Sequence, residues 1–156
     1  MLAYTYKQHF IACTKYQKEV ALRNIVVLEL LFSTGMRVSE VSHLKISAIN
    51  FGDNTIRIFG KGSKERIMCI NDNLSKTISN YLTVRSRKTD YLLVNRLGNR
   101  LSEQSIRYMV NDYANAVGAP LHITPHMFRH TFATELHNED VDIRYIQQFL
   151  GHSSIA

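Results

Sequence analysis

Residues 18–35, KEVALRNIVVLELLFSTG, are the most apolar stretch of the chain and decide how the rest is interpreted. Apolar side chains fall on nearly every side of a helix drawn through them, which is typical of a helix buried at the centre of a domain. Its most hydrophobic run, IVVLELLF at residues 25–32, carries Glu29 and is too short to span a bilayer. Gly35 is the kind of residue that ends helices. We therefore predict a central buried helix that stops at Gly35.

Helical periodicity continues on both sides of this central segment. Before it, residues from Thr5 to about Tyr16 are predicted to form a helix with Thr5 as its cap. After it, residues 36–44, MRVSEVSHL, predict another helix. Three apolar side chains of that helix are expected to face inward: Val38, Val41 and Leu44.

At residues 54–70, NTIRIFGKGSKERIMCI, apolar residues recur at every second position instead of at helical spacing. Alternation on both sides of a glycine-bounded centre predicts a β-hairpin with GKGSK, residues 60–64, near the turn. We expect this tip to be more mobile than the helices, since it has two glycines and few apolar anchors. Residues 91–94, YLLV, predict a short strand. Further helices are predicted at 74–88, at 101–118 between Ser102 and Gly118, from Pro125 after the cap Thr124, and at 141–151.

The predicted fold class is mainly α with a small antiparallel β-sheet or hairpin, in a single domain spanning residues 1–156. With 156 residues and 45% apolar content, the chain is long and apolar enough to bury a core. Its two cysteines match no metal spacing or disulfide framework, and its start lacks the features of a signal peptide. We expect a cytoplasmic protein with no membrane partner.

The charge balance favours a polyanionic partner. Lys and Arg outnumber Asp and Glu by 19 to 13, so the net charge is +6 and the pI about 9.4. Nucleic acid is the simplest partner for such a chain, although many basic domains bind nothing anionic. Net charge supports this interpretation only if the basic side chains cluster.

One such cluster lies in residues 124–139, TPHMFRHTFATELHNE. An apolar stripe of Phe128, Phe132 and Leu136 explains the phenylalanines as ordinary core residues. It does not explain why His126, Arg129 and His130 gather at the start of the helix, where backbone N–H groups favour an anion. The spacing of the two histidines also suits zinc, but HMFRH has an arginine where a zinc helix would carry glutamate. We therefore predict no metal and no cofactor.

Other basic residues are weak indicators when taken singly. Arg37, in STGMRVSE, can be a solvated residue or an ion-pair partner of Glu40 one turn on, and taken alone it indicates a functional role no more strongly than these. Lys61, near the tip of the hairpin, would ordinarily be solvated. GKG does not match a phosphate-binding P-loop.

Taken together, four short motifs occur in a specific order: STGMRVSE, GKGSKER, HMFRHTFAT and LGHSSI. From about Ala21 to the last residue, the chain resembles the catalytic domain of the tyrosine recombinases, which include phage-type integrases and Xer-like resolvases. The resemblance implies the catalytic-domain fold of that family. It also implies an active site made of five residues: Arg37, Lys61, His126, Arg129 and His152.

The chemistry implied by the resemblance is metal-free cleavage of DNA by a tyrosine, which leaves a 3′-phosphotyrosine and a free 5′-hydroxyl. Arg37 and Arg129 would face the charge that develops on the phosphate. His126 and His152 would hold or move protons, and Lys61 would protonate the departing 5′-oxygen. Two further residues would support the site, Glu40 by orienting Arg37 or a histidine and His130 by packing behind it.

The resemblance puts the nucleophilic tyrosine beyond His152, on a helix after Ala156. Residues 1–156 are therefore expected to be a truncated catalytic domain, without the N-terminal core-binding domain or the tyrosine segment. The expected partner is a double-stranded DNA recombination site, bound by a homotetramer of the full-length bacterial or phage parent, with the isolated domain a monomer. Five further residues are candidate DNA contacts: Lys64, Arg66, Arg85, Arg87 and Lys88.

Two other classes of function stay open at this point. A non-catalytic DNA-binding remnant or regulator would share the basic charge but would not need the five active-site residues together. A metal-dependent hydrolase could use the histidines, but it lacks the carboxylates that a two-metal phosphodiesterase requires.

Overall fold

Helix α2 (Lys15–Thr34) runs through the middle of the protein in the computed structural model, which describes residues 1–60 and 64–151. The Thr14 side chain caps its start and Gln17 reaches back to the cap, so two backbone N–H groups are satisfied reciprocally. Residues 25–28, 30 and 31 are buried. Gly35, with φ of 60°, ends the helix in the left-handed conformation. The predicted central helix and its stop are confirmed.

Within the described ranges, six further α-helices surround α2: α1 (Leu2–Ile11), α3 (Val38–His43), α4 (Asp72–Val84), α5 (Glu103–Ala116), α6 (Pro125–Asn138) and α7 (Ile143–Leu150). Helices α1, α4 and α6 pack against α2, while α3 contacts α5 and α7 contacts α6. As predicted, Val41 and Leu44 face the core, whereas Val38 is only partly buried. A short 3-10 helix, Ile46–Ala48, follows α3. This arrangement brings the start of α3 and the start of α6 to the same side of the central helix.

The predicted hairpin is confirmed as the main part of a small antiparallel sheet. Strands β2 (Thr55–Phe59) and β3 (Glu65–Cys69) pair with Ile58 opposite Arg66, and β1 (Ile49–Asn50) adds a short strand beside β2. Alternation divides the hairpin into two faces. Ile56, Ile58 and Met68 point into the core, so Arg66, between Met68 and the turn, lies on the inward face.

Several predicted boundaries are wrong. Helix α1 begins at Leu2 and ends at Ile11, so Thr5 lies inside it, and its hydroxyl donates to the Met1 carbonyl at 2.8 Å. Helix α4 ends at Val84 rather than at residue 88. The described residues 91–94 form no strand and contribute only isolated bridges, one at each end of the segment.

The C-terminal helices agree with the prediction in position. Pro125 occupies the first turn of α6 after the cap residue Thr124, whose side chain makes no capping hydrogen bond among the described residues. Phe128 is buried, and α7 ends at Gly151 in the left-handed conformation. Within the described ranges, no helix has both the length and the apolar character needed to cross a membrane.

Candidate active site

The first part of the site lies where α2 ends and α3 begins. Gly35 turns the chain, and Arg37 becomes the cap residue of α3. Its backbone N–H donates to Glu40 Oε2 at 2.7 Å, and its Nη1 donates to Glu40 Oε1 at 3.2 Å. The Arg37 side chain keeps 36% of its surface exposed. The ion pair with Glu40 is one of the interpretations that the sequence allowed. It holds one side of a guanidinium that is otherwise accessible to solvent.

Arg66 reaches the same carboxylate from the hairpin. Its Nη1 and Nη2 donate to Glu40 Oε1 and Oε2 at 2.9 and 2.8 Å, a bidentate arrangement. The two side chains are 11% and 8% exposed. Arg66 was predicted as a DNA contact, but in the structure its terminal nitrogens are bonded to Glu40 inside the protein.

Arg129 lies at the end of the first turn of α6 and is 7% exposed. Its Nη1 donates to the Gly35 carbonyl at 2.7 Å, and its Nη2 donates to the Leu150 carbonyl. Arg37 donates to the neighbouring Gly151 carbonyl at 3.1 Å. Carbonyls at the C-terminal ends of α2 and α7 thus hold the two arginines, and the partial negative charge of a helix C-terminus favours a cation there.

The pKa shifts follow from this crowding of charge. Burial, and then the positive charge of Arg37, lower the pKa of Arg129 to about 10, against the opposing effect of Glu40. Burial alone would raise the pKa of Glu40, but hydrogen bonds from Arg66 and from the Arg37 amide lower it overall. At neutral pH Arg129 is a cation and Glu40 is a carboxylate.

A cleft of about 640 Å³ opens beside these residues. Arg37, His126 and Arg129 all line it, so three of the five predicted active-site residues share one cavity. His126 is exposed on the first turn of α6. The wall of the cleft also includes residues of α5 and of the segment before α6: Glu103, Gln104, Arg107, Tyr108, Asn111 and His122. Sequence reasoning missed this wall, because its residues are typical of any solvated helix face.

The other two predicted active-site residues, Lys61 and His152, lie outside the described residues, as does most of the hairpin tip. The ends of the tip are described, and the Gly60 N–H donates to the Lys64 carbonyl at 2.8 Å. His130 is exposed and does not line the cleft, so it differs from the expectation that it packs behind the site.

The remaining candidate DNA contacts differ in exposure. Lys64, Arg87 and Lys88 are exposed. Arg85 instead donates to the carbonyls of Thr89, Tyr91 and Leu92, and so holds the loop after α4. Within residues 1–60 and 64–151, no three His, Cys, Asp or Glu side chains are grouped to hold a metal ion.

The helical fold that carries this cleft has counterparts among known proteins. Residues 5–156 match the family model described as the phage integrase family, and the chain belongs to that family. The match covers both ends of the site, from before α2 to beyond α7. The family resemblance seen in the four sequence motifs is confirmed.

The similar proteins are tyrosine recombinases. The chain is 52% identical over 154 residues to a tyrosine recombinase of Agathobacter rectalis, covering 96% of this chain and 50% of the relative. It is 41% identical over 140 residues to tyrosine recombinase XerC of Staphylococcus aureus, covering 87% of this chain and 47% of that protein. The chain therefore spans about half the length of the curated relatives it matches.

Solved structures agree with the fold. The crystal structure of XerA recombinase superposes with a TM-score of 0.78 at 34% identity, over 85% of this chain and 50% of XerA. XerH site-specific recombinase, bound to its difH substrate in a pre-cleavage complex, gives 0.79 at 29% identity, over 96% of this chain and 44% of XerH. The predicted fold class, mainly helical with a small antiparallel sheet, is confirmed as that of tyrosine recombinase catalytic domains.

Proposed function

We propose that this chain is the catalytic domain of a site-specific DNA recombinase that breaks and rejoins strands through a 3′-phosphotyrosine intermediate. The observation that carries the proposal is the meeting of Arg37, His126 and Arg129 at one cleft. Two like charges lie close enough there for one to lower the pKa of the other. A phosphodiester in this cleft would relieve that repulsion, so the arrangement favours an anionic substrate.

Arg37 and Arg129 are proposed to stabilise the transition state. When a tyrosine attacks the phosphorus, negative charge increases on the two non-bridging oxygens, and preorganised cations stabilise it without reorganisation. Guanidinium suits this role because it stays protonated at neutral pH and can bind phosphate oxygens in a fork. Carbonyls and Glu40 already fix the orientation of both side chains.

Proton transfer is assigned to the other members of the predicted set. His126, exposed at the cleft, is proposed to hold or move a proton near the phosphate. By family resemblance, His152 shares that role and Lys61 protonates the departing 5′-oxygen. The nucleophile is proposed to be a tyrosine outside residues 1–156, since Tyr145 precedes the LGHSSI motif on α7.

The proposed partner is a duplex DNA recombination site, which a tetramer of the full-length protein would bind, while residues 1–156 alone would be monomeric. The relative XerH was solved bound to its difH substrate, which supports a DNA partner for this chain as well. We place the parent protein in the cytoplasm of a bacterium or in a phage-infected cell, where such DNA is found.

The test uses a protein extended through the tyrosine segment and the N-terminal DNA-binding region that the family resemblance implies, here called the extended protein. Mixed with a DNA duplex carrying its site and a nick, it should form a covalent adduct in EDTA, visible on a denaturing gel. Arg37→Ala and Arg129→Ala should each slow adduct formation roughly 100-fold or more, because each removes a fixed charge at the phosphate.

Two controls make this test decisive. Arg144→Ala removes the same charge from a side chain that is 80% exposed on α7, and it should leave the rate near that of the wild type. Residues 1–156 alone should form no adduct. An adduct trapped on Tyr145 would refute the assignment of the nucleophile. DNA binding without cleavage by the extended protein would instead favour a regulator, and cleavage that requires metal would favour a hydrolase.

A further inference from the structure

The hairpin and α3 meet at a single carboxylate whose hydrogen-bonding capacity is fully used. Glu40 Oε1 accepts from Arg37 Nη1 and Arg66 Nη1, and Oε2 accepts from the Arg37 backbone N–H and Arg66 Nη2. A carboxylate has about four such sites, and this one is almost entirely shielded from water. Arg37 and Arg66 are thus linked, because both donate hydrogen bonds to the Glu40 carboxylate.

Arg66 also lies close to Gly151, whose carbonyl Arg37 binds. A Cβ placed on Gly151 would lie 3.1 Å from Arg66 Nη1 and 3.6 Å from Arg37 Nη1. Both guanidiniums therefore lie against the C-terminal end of α7. Arg66 lies two residues after Lys64, whose carbonyl closes the base of the hairpin tip. Arg66 thus belongs to the strand that follows the tip, binds the carboxylate beside Arg37 and lies near the end of α7.

We propose that Arg66 is a positioning residue of the reaction, acting through Glu40 to hold the Arg37 guanidinium toward the cleft. The inference rests on the proposed function, because Arg37 must act on a phosphate for its orientation to matter. It replaces the expectation that Arg66 binds DNA. The two hydrogen bonds from Arg66 on β3 fix the plane of the Glu40 carboxylate. Because Arg37 donates to the same carboxylate, its side chain is oriented as well.

The first measurement is the single-turnover rate of adduct formation by the extended protein. Arg66→Met removes the bidentate grip but keeps most of the side-chain volume. It should lower the rate roughly tenfold or more, the usual cost of losing a group that orients a reacting residue. Arg66→Lys keeps the charge but cannot grip both oxygens, so it should give an intermediate rate. Arg57→Met is the matched control, since Arg57 lies on the outer face of the same hairpin, 60% exposed.

The second measurement separates positioning from DNA contact. A side chain that neutralises a phosphate contributes about 0.9 to the slope of log affinity against log salt concentration. Arg66→Met should leave that slope at the wild-type value, whereas Arg37→Ala should reduce it. A slope reduced by about one contact, with an unchanged cleavage rate, would overturn the proposal and make Arg66 a phosphate contact.

The third measurement is the pH profile of the rate, taken as the ratio of variant to wild type. Among described residues, the charged groups that face Glu40 are Arg37, Arg66 and Arg129. Arginine side chains stay protonated over the range in which a carboxylate titrates, so a change in the ratio reports on Glu40. Without Arg66, burial should raise the pKa of Glu40, so the ratio should fall as the pH is lowered. Adding Glu40→Gln should remove that fall. A flat ratio in Arg66→Met would contradict the proposal.

Each outcome has one meaning. If the wild-type extended protein forms no adduct, the proposed function fails, whatever Arg66 does. If the wild type cleaves and Arg66→Met cleaves equally fast, only the positioning role fails. Thermal melting checks that each variant folds. Should Arg66→Met fail to fold, Arg66→Lys carries the test, and a wild-type rate in that variant would overturn the proposal.

Discussion

Gly35 supports the site through both its conformation and its lack of a side chain. Its φ of 60° disfavours any residue with a Cβ, and a Cβ there would lie 2.5 Å from Cδ1 of Phe132. The carbonyl of the same residue accepts from Arg129. A side chain at this position would therefore push α6 away from the turn while also straining the turn.

We expect Gly35→Ala to lower the free energy of unfolding by about 2–4 kcal/mol, the sum of backbone strain and overpacking. Gly118→Ala is the control, because Gly118 has a similar φ of 68° and a Cβ placed on it would have no described atom within 4 Å. Gly118→Ala should lower the free energy of unfolding by only about 1 kcal/mol. Urea unfolding followed by circular dichroism measures both. If the two variants lost equal free energy of unfolding, the contact with Phe132 would add nothing to the backbone strain at Gly35.

At the same scale, three of the five residues predicted for the site line one cleft, but the sequence did not indicate how they are held. Arg129 was expected on a polar face beside an apolar stripe, yet it is buried. Its burial depends on carbonyl acceptors 94 positions earlier and 21 positions later in the chain. Periodicity describes one helix at a time, so it cannot reveal acceptors on other elements. The Arg66–Glu40 pair was missed for the same reason.

At the scale of elements, a side-chain cap stabilises the start of helix α2, and its contribution to the free energy of unfolding can be estimated. The Thr14 side chain accepts from the Gln17 N–H at 3.1 Å. Thr14→Ala should lower the free energy of unfolding by about 1 kcal/mol. Thr124→Ala is the comparison, since among described residues the Thr124 side chain makes no capping bond to α6. Chemical denaturation should show the larger loss for Thr14→Ala, and a larger loss for Thr124→Ala would contradict this account.

Elements with a strong local pattern were predicted well, and those set by tertiary contacts were not. The hairpin was predicted because Ile56 and Ile58 alternate with exposed residues. The start of α1 was misplaced because Thr5 was interpreted as a cap, whereas its hydroxyl donates to a carbonyl four residues earlier. Strand β1 has only two residues, which is too short for an alternating pattern to indicate it.

At the scale of the whole molecule, the basic charge should give residues 1–156 a weak affinity for duplex DNA that depends little on sequence. Affinity should fall steeply as salt rises, because binding to phosphates releases counterions. Arg87→Ala combined with Lys88→Ala should reduce the slope if these exposed side chains reach the backbone. Fluorescence anisotropy with a labelled duplex at several salt concentrations measures this. Affinity that is independent of salt would refute the electrostatic explanation.

The carbonyls of Leu150 and Gly151 at the end of α7 also determine when the site can be completed during synthesis. Arg37 leaves the ribosome 114 residues before Gly151, the residue whose carbonyl it binds. Arg129 likewise lacks one of its hydrogen-bond acceptors until Leu150 has been synthesised. Since chains are made from the N-terminus, neither guanidinium can make its observed hydrogen bond until the end of α7 has been synthesised. An incomplete polypeptide of this protein therefore lacks the assembled arginine pair, even when its central helix has already formed.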